Sequence, residues 1–203
     1  MNTRVLLSIW LIGLGLILAV LPDKKVHSTQ LKPNELLEKA IKNDYVISVD
    51  KVARSLVTDD STVVLVDLRS PEEFKECNIP GAINIPYANL LDKENEGYWD
   101  QKEIKLIFYS NGSFLSAQAW TLCTGMGYQN IYIMEGGMNE WYKTVLNSRF
   151  VGEQITAREN ALFETRLKAR KLFIEMNSLP DSLKINFREM KQKTTKKLDG
   201  GCG

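Results

Sequence analysis

The chain has 203 residues, which leaves room for one domain of roughly 110 residues plus appendages. Its 26 basic and 25 acidic side chains give a formal net charge of +1, so whole-chain electrostatics supply no reason to expect a nucleic-acid partner. Three cysteines, Cys77, Cys123 and Cys202, are too few for a disulfide framework.

After a short leader with Arg4, the stretch Val5 to Pro22 carries no charge and is apolar on every side. Spanning a bilayer takes about 20 apolar residues in helix, and a signal-peptide core is shorter. No small-x-small cleavage site precedes Pro22. Residues 1–25 are therefore expected to form a transmembrane anchor in preference to a cleaved signal sequence. Arg4 before the stretch and Lys24 and Lys25 after it nearly balance the positive-inside rule. A leading tail this short resembles a signal anchor, which puts the rest of the chain on the extracytoplasmic side, periplasmic or extracellular.

Residues 26–44 read as a tether and a short helix opened by Pro33, with Leu36, Leu37, Ala40 and Ile41 on one side. Tyr45 to Val49 predicts a strand. Asp50 then caps a helix carrying Val52, Ala53, Leu56 and Val57. The runs STVVLVDLR, KLIFYS and NIYIME have the continuous apolar character of central parallel strands. Helical segments separate them, so the pattern predicts an α/β fold with a central parallel sheet and helices on both faces. Ligands of such sheets bind at the carboxyl ends of the strands, where Asp67 and Ser110 fall.

The charged insert Asp92 to Glu103 holds Tyr98 and Trp99, either as aromatics covering the sheet edge or as a recognition loop. Cys123 lies in an apolar helix and reads as a small core residue. Gly152 to Met176 carries a helical pattern that either packs back on the domain or offers a partner surface. Pro180 interrupts it, and a basic tail follows with Lys184, Arg188, Lys191, Lys193, Lys196 and Lys197 before a Gly-Gly-Cys-Gly end.

Three motifs in order carry a family resemblance: VVLVDLRSPEEFKECNIPGAINIP, the strand–loop–helix IKLIFYSNGSFLSAQAW, and NIYIMEGGMNEW. Together they resemble the rhodanese-like sulfurtransferase domain. The resemblance implies a three-layer domain over residues 45–148, with residues 149–203 as a helical, basic C-terminal extension. It also implies an active-site loop at Ser110, Asn111, Gly112, Ser113, Phe114, Leu115 and Ser116, with Asp67 and Arg69 lining the site. Such loops begin with a nucleophilic Cys and carry an Arg five residues later, positions held here by Ser110 and Leu115.

A serine hydroxyl cannot carry a persulfide. A Ser–His arrangement is excluded as well, since the single histidine, His27, lies in the tether. The expected function is a membrane-anchored, non-catalytic binding or regulatory module. It would take an unidentified protein or small ligand at the loop crevice, with no cofactor, no metal and no nucleic acid. The alternative is a sulfur carrier or sulfurtransferase that uses Cys202, or less readily Cys77, as the persulfide thiol.

Overall fold

The computed structural model describes residues 30–149 and 156–185, together with residues 3, 4, 7, 10, 12 and 13. Five strands form one sheet: β1 (Val46–Ile47), β2 (Val63–Asp67), β3 (Ile83–Asn84), β4 (Lys105–Tyr109) and β5 (Ile131–Met134). Their spatial order is β1-β5-β4-β2-β3, and every pairing is parallel. The register of the central pair sets Val64 beside Leu106 and Asp67 beside Tyr109. Seven helices accompany the sheet among the described residues: α1 (Pro33–Lys42), α2 (Val49–Val57), α3 (Pro71–Glu76), α4 (Glu96–Trp99), α5 (Ser113–Gly125), α6 (Gly137–Trp141) and α7 (Ala157–Ser178).

The period-2 alternation of strand side chains divides the core in two. Val64, Val66, Leu106, Phe108, Ile131 and Ile133 face α5 and the inner side of α1, and pack with Ala119, Trp120 and Cys123. Leu65, Ile107, Tyr109 and Met134 face the other way, onto Val52 and Ala53 of α2, Phe74 of α3, Trp141 of α6, and Ala169 and Phe173 of α7. The central strands are thus buried on both faces, which is why their sequences run apolar without alternation.

Local signals account for most element ends. Ser48 occupies the N-cap position of α2, two residues before the expected Asp50. In α1, Leu36 and Ala40 pack on the core, whereas Leu37 and Ile41 stay exposed. The helix therefore buries only half of its apolar side. The insert packs on a face of the sheet: Trp99 is 1% exposed, donates Nε1–H to the Leu90 carbonyl at 3.0 Å and meets Phe108 of the central strand edge-on.

Helix α7 packs back on the domain. It starts at Ala157, five residues after the expected Gly152, because Thr156 and Glu159 form a reciprocal capping box. Arg166 grips Asp50 of α2 with two hydrogen bonds of 2.7 Å. Asn177 behaves as a surrogate backbone unit: its side chain accepts from the Asn78 N–H at 3.0 Å and donates to the Asn78 carbonyl at 2.9 Å.

The N-terminal expectation is corrected. A span needs a helix of about 20 residues to cross about 30 Å of hydrocarbon. Among the described residues no helix is long and apolar enough to cross a membrane. The expected transmembrane helix is withdrawn from the fold, and the extracytoplasmic placement that rested on it is withdrawn with it. Most of residues 5–22 lie outside the described residues, as do residues 186–203, which include Cys202.

Phe173 is 8% exposed against Trp141, whereas its neighbour Ile174 is 52% exposed. Phe173→Ala is expected to lower unfolding stability by about 3 kcal/mol, and Ile174→Ala by less than about 0.5 kcal/mol. Urea denaturation followed by tryptophan fluorescence checks the contrast; equal losses would show that α7 contributes nothing through this contact.

Candidate functional site

The site grows from the carboxyl end of β4. Ser110 ends the strand at 2% exposure, and its hydroxyl donates to the Gly112 carbonyl at 2.6 Å. This bond curls Ser110–Gly112 into a tight turn that delivers the chain to α5. The Ser116 hydroxyl, fully buried one turn into α5, lies 3.5 Å from the Ser110 oxygen. Phe114 and Leu115 form the crest of the loop at 74% and 36% exposure. Helix α5 opens at Gly112 with no side-chain cap and no acidic residue in its first turn. Its amide end therefore keeps the partial positive charge of an uncapped helix start.

The turn before α6 grips this loop from beside it. Met138 N–H donates to the Ser110 carbonyl at 2.8 Å, and Asn139 N–H donates to the Asn111 carbonyl at 3.0 Å. Gly136 N–H donates to the Ser113 hydroxyl at 2.8 Å. The approach requires glycine at 137: a Cβ there would lie 2.3 Å from the Ser110 carbonyl oxygen, and φ is +58°. From the opposite side, Asn111 donates Nδ2–H to Glu73 at 2.6 Å. That bond is the main reason the Glu73 carboxyl titrates below its ordinary value, with the capping contacts of Ser70 adding to it.

Asp67 and Arg69 sit beneath the loop, at 0% and 6% exposure. The guanidinium binds the Asp67 carboxylate at 2.7 to 3.2 Å and the Cys77 carbonyl at 2.8 Å. Burial opposes the Arg69 charge, but the hydrogen bond and charge of Asp67 outweigh it and raise the Arg69 pKa above its ordinary value. Burial, with the Asp67 charge behind it, pushes the Tyr109 phenol well up. The structure thus brings Asp67, Arg69 and Ser110 to one end of the sheet. Arg69 is committed to protein partners there.

Cys77 is half-buried, next to the crevice wall. Burial raises the Cys123 thiol to about 12, so it packs in the core as a neutral group. Among the described residues no group of His, Cys, Asp and Glu could hold a metal ion. Glu73 and the backbone amides of Met138 and Asn139 join the site without being among the residues expected from the sequence. The Ser-x-x-Glu spacing of Ser70 and Glu73 was visible as a capping box; the amide contacts had no signal in the side-chain pattern.

The rhodanese-like domain family matches residues 48–144. A thiosulfate:glutathione sulfurtransferase of Saccharomyces cerevisiae is 30% identical over 117 residues, covering 53% of this chain and 84% of that protein. The thiosulfate sulfurtransferase GlpE of Pseudomonas syringae is 31% identical over 81 residues, or 40% of this chain and 74% of that protein. The chain belongs to the rhodanese-like family. An adenylyltransferase and sulfurtransferase UBA4 of Meyerozyma guilliermondii is 32% identical over 94 residues, although the match covers only 22% of that longer protein. Two of these sulfurtransferases are thus covered over more than two thirds of their length.

Gly137→Ala forces a side chain into the Ser110 carbonyl and is expected to cost about 2 kcal/mol or more. Gly112→Ala meets open space and is expected to cost no more than about 1 kcal/mol. Chemical denaturation of both variants checks this. A depressed carboxyl contributes stability that is fully present above its unfolded-state value, ordinarily 4.5, and is lost as pH falls through the lower folded value. The stability gap between the wild type and Glu73→Gln should therefore stay constant from neutral pH down to about pH 5 and shrink toward pH 3. A gap that widened on acidification would contradict the assignment.

Proposed function

We propose that this rhodanese-like domain is a non-catalytic binding module whose loop crevice receives a partner protein or small ligand. The observation that carries the proposal is the state of Ser110: a hydroxyl, 2% exposed, with its proton directed to the Gly112 carbonyl and the Ser116 hydroxyl beside it. Sulfur transfer needs a thiolate that becomes a persulfide and then gives up its outer sulfur to an acceptor. A serine oxygen has no equivalent step. Nor does the loop hold an anion strongly, since Leu115 is apolar and Arg69 is bound to Asp67 and Cys77.

The features that remain suit recognition. An uncapped helix end offers amide donors to a carbonyl or carboxylate, and the Phe114–Leu115 crest offers apolar surface beside it. The grip of Gly136 to Asn139 on the loop holds this surface in one conformation, which lowers the ordering cost of binding.

Sulfur transfer from thiosulfate to cyanide, measured on the full chain beside Ser110→Cys, Ser110→Cys/Leu115→Arg and Cys202→Ser, tests the reading. Wild type and Ser110→Cys are expected at background, and the double variant is expected to gain at least about tenfold. Wild-type turnover that disappears in Cys202→Ser would overturn the proposal and make the terminal cysteine the sulfur carrier.

A further inference from the structure

On the face of the domain that carries α2 and α7, a cleft of about 370 Å³ opens between the two helices. Its walls are Ser48, Lys51 and Arg54 from α2 and its cap, and Arg158, Leu162 and Thr165 from α7. Lys51 and Arg54 are one turn apart on α2. Arg158, Ala161, Leu162 and Thr165 follow at helical spacing on α7, so each helix turns one side toward the other. We infer that this cleft is a binding site for a small organic anion, one carrying a phosphate or carboxylate group on an apolar body.

Charge is the first argument. Lys51, Arg54 and Arg158 are exposed, and none of them takes part in an ion pair among the described residues. The acidic groups that might neutralise them are engaged. Asp50, also in the wall, is held by Arg166 through two 2.7 Å hydrogen bonds. Glu159 is folded back on the Thr156 amide and hydroxyl. Three cations with no ion-pair partner among the described residues thus line one cleft, an arrangement that raises the local concentration of anions.

Shape and lining are the second argument. The volume falls in the range of small-molecule sites, about 300 to 1,000 Å³. Ala161 and Leu162 add apolar lining, while the hydroxyls of Ser48 and Thr165 can orient a polar head. The Asp50–Arg166 pair fixes α7 against α2, so the two walls are held apart at a set distance before any ligand arrives.

Calorimetric titration of the full chain with naphthyl phosphate tests the site. Naphthyl phosphate is expected to bind with a Kd of roughly 100 μM, while inorganic phosphate and uncharged naphthol each bind at least about tenfold more weakly. Lys51→Gln/Arg54→Gln should weaken binding by about tenfold or more, with the Tm unchanged within about 2 °C because both side chains are exposed. Ala161→Trp, which fills the cleft without touching the cations, should abolish binding. No heat of binding at millimolar ligand would overturn the inference. So would binding that survives both variants, which would place the ligand elsewhere, as in the loop crevice. A glutamate-rich peptide that bound more tightly than naphthyl phosphate would also overturn it, in favour of a protein partner.

Discussion

The buried pair of Asp67 and Arg69 is the contact on which the functional end of this domain depends. A carboxylate with no solvent exposure must be matched, and Arg69 matches it through both its side chain and its backbone N–H. The same guanidinium reaches the Cys77 carbonyl, and Asn84 of β3 donates to the carbonyls of both Asp67 and Arg69. The Tyr109 hydroxyl stands against the Ile79 amide at 3.4 Å. The ion pair and the hydrogen bonds around it therefore tie together the ends of β2, β3 and β4 and the turn after α3. Removing one partner of such a pair costs about 3–5 kcal/mol, because the other charge is left buried and unmatched.

Around that node the loop is held as firmly as a catalytic loop would need to be. Backbone amides of the α6 turn, one of them donating to the Ser113 hydroxyl, and the Glu73–Asn111 bond fix it on two sides. At its centre lies a hydroxyl turned inward to the Gly112 carbonyl, beside an apolar crest of Phe114 and Leu115. The two bonds from Met138 and Asn139 reach the loop through its carbonyls, so that part of the grip does not depend on the identity of the side chain at 110 or 115.

Helix α7 extends the domain in a way the shared sheet does not. Through Asn177 it holds the Asn78 backbone, one residue from the carbonyl that Arg69 binds. Through Arg166 it holds α2 and so defines the cationic cleft. The extension therefore touches both the crevice wall and a second, separate surface. Communication between the two would have to pass through this rigid helix, whose buried anchors Ala169 and Phe173 lie between its two polar clamps.

The sequence by itself determined the α/β alternation, the parallel central strands and the strand–loop–helix at Ser110–Ser116. These were legible because they rest on local apolar runs, turn residues and the identity of single side chains. The uncharged run of residues 5–22 pointed to a span, but hydropathy reports only that a helix would tolerate lipid. No spanning helix is found among the described residues. Tertiary structure alone decided that Arg69 is spent on Asp67, that Gly137 must lack a side chain to meet the Ser110 carbonyl, and that Lys51, Arg54 and Arg158 share a cleft. The last two depend on the distance between residues far apart in the chain, which is set by how the layers pack; the first depends on how a local pair is buried, which no local pattern records.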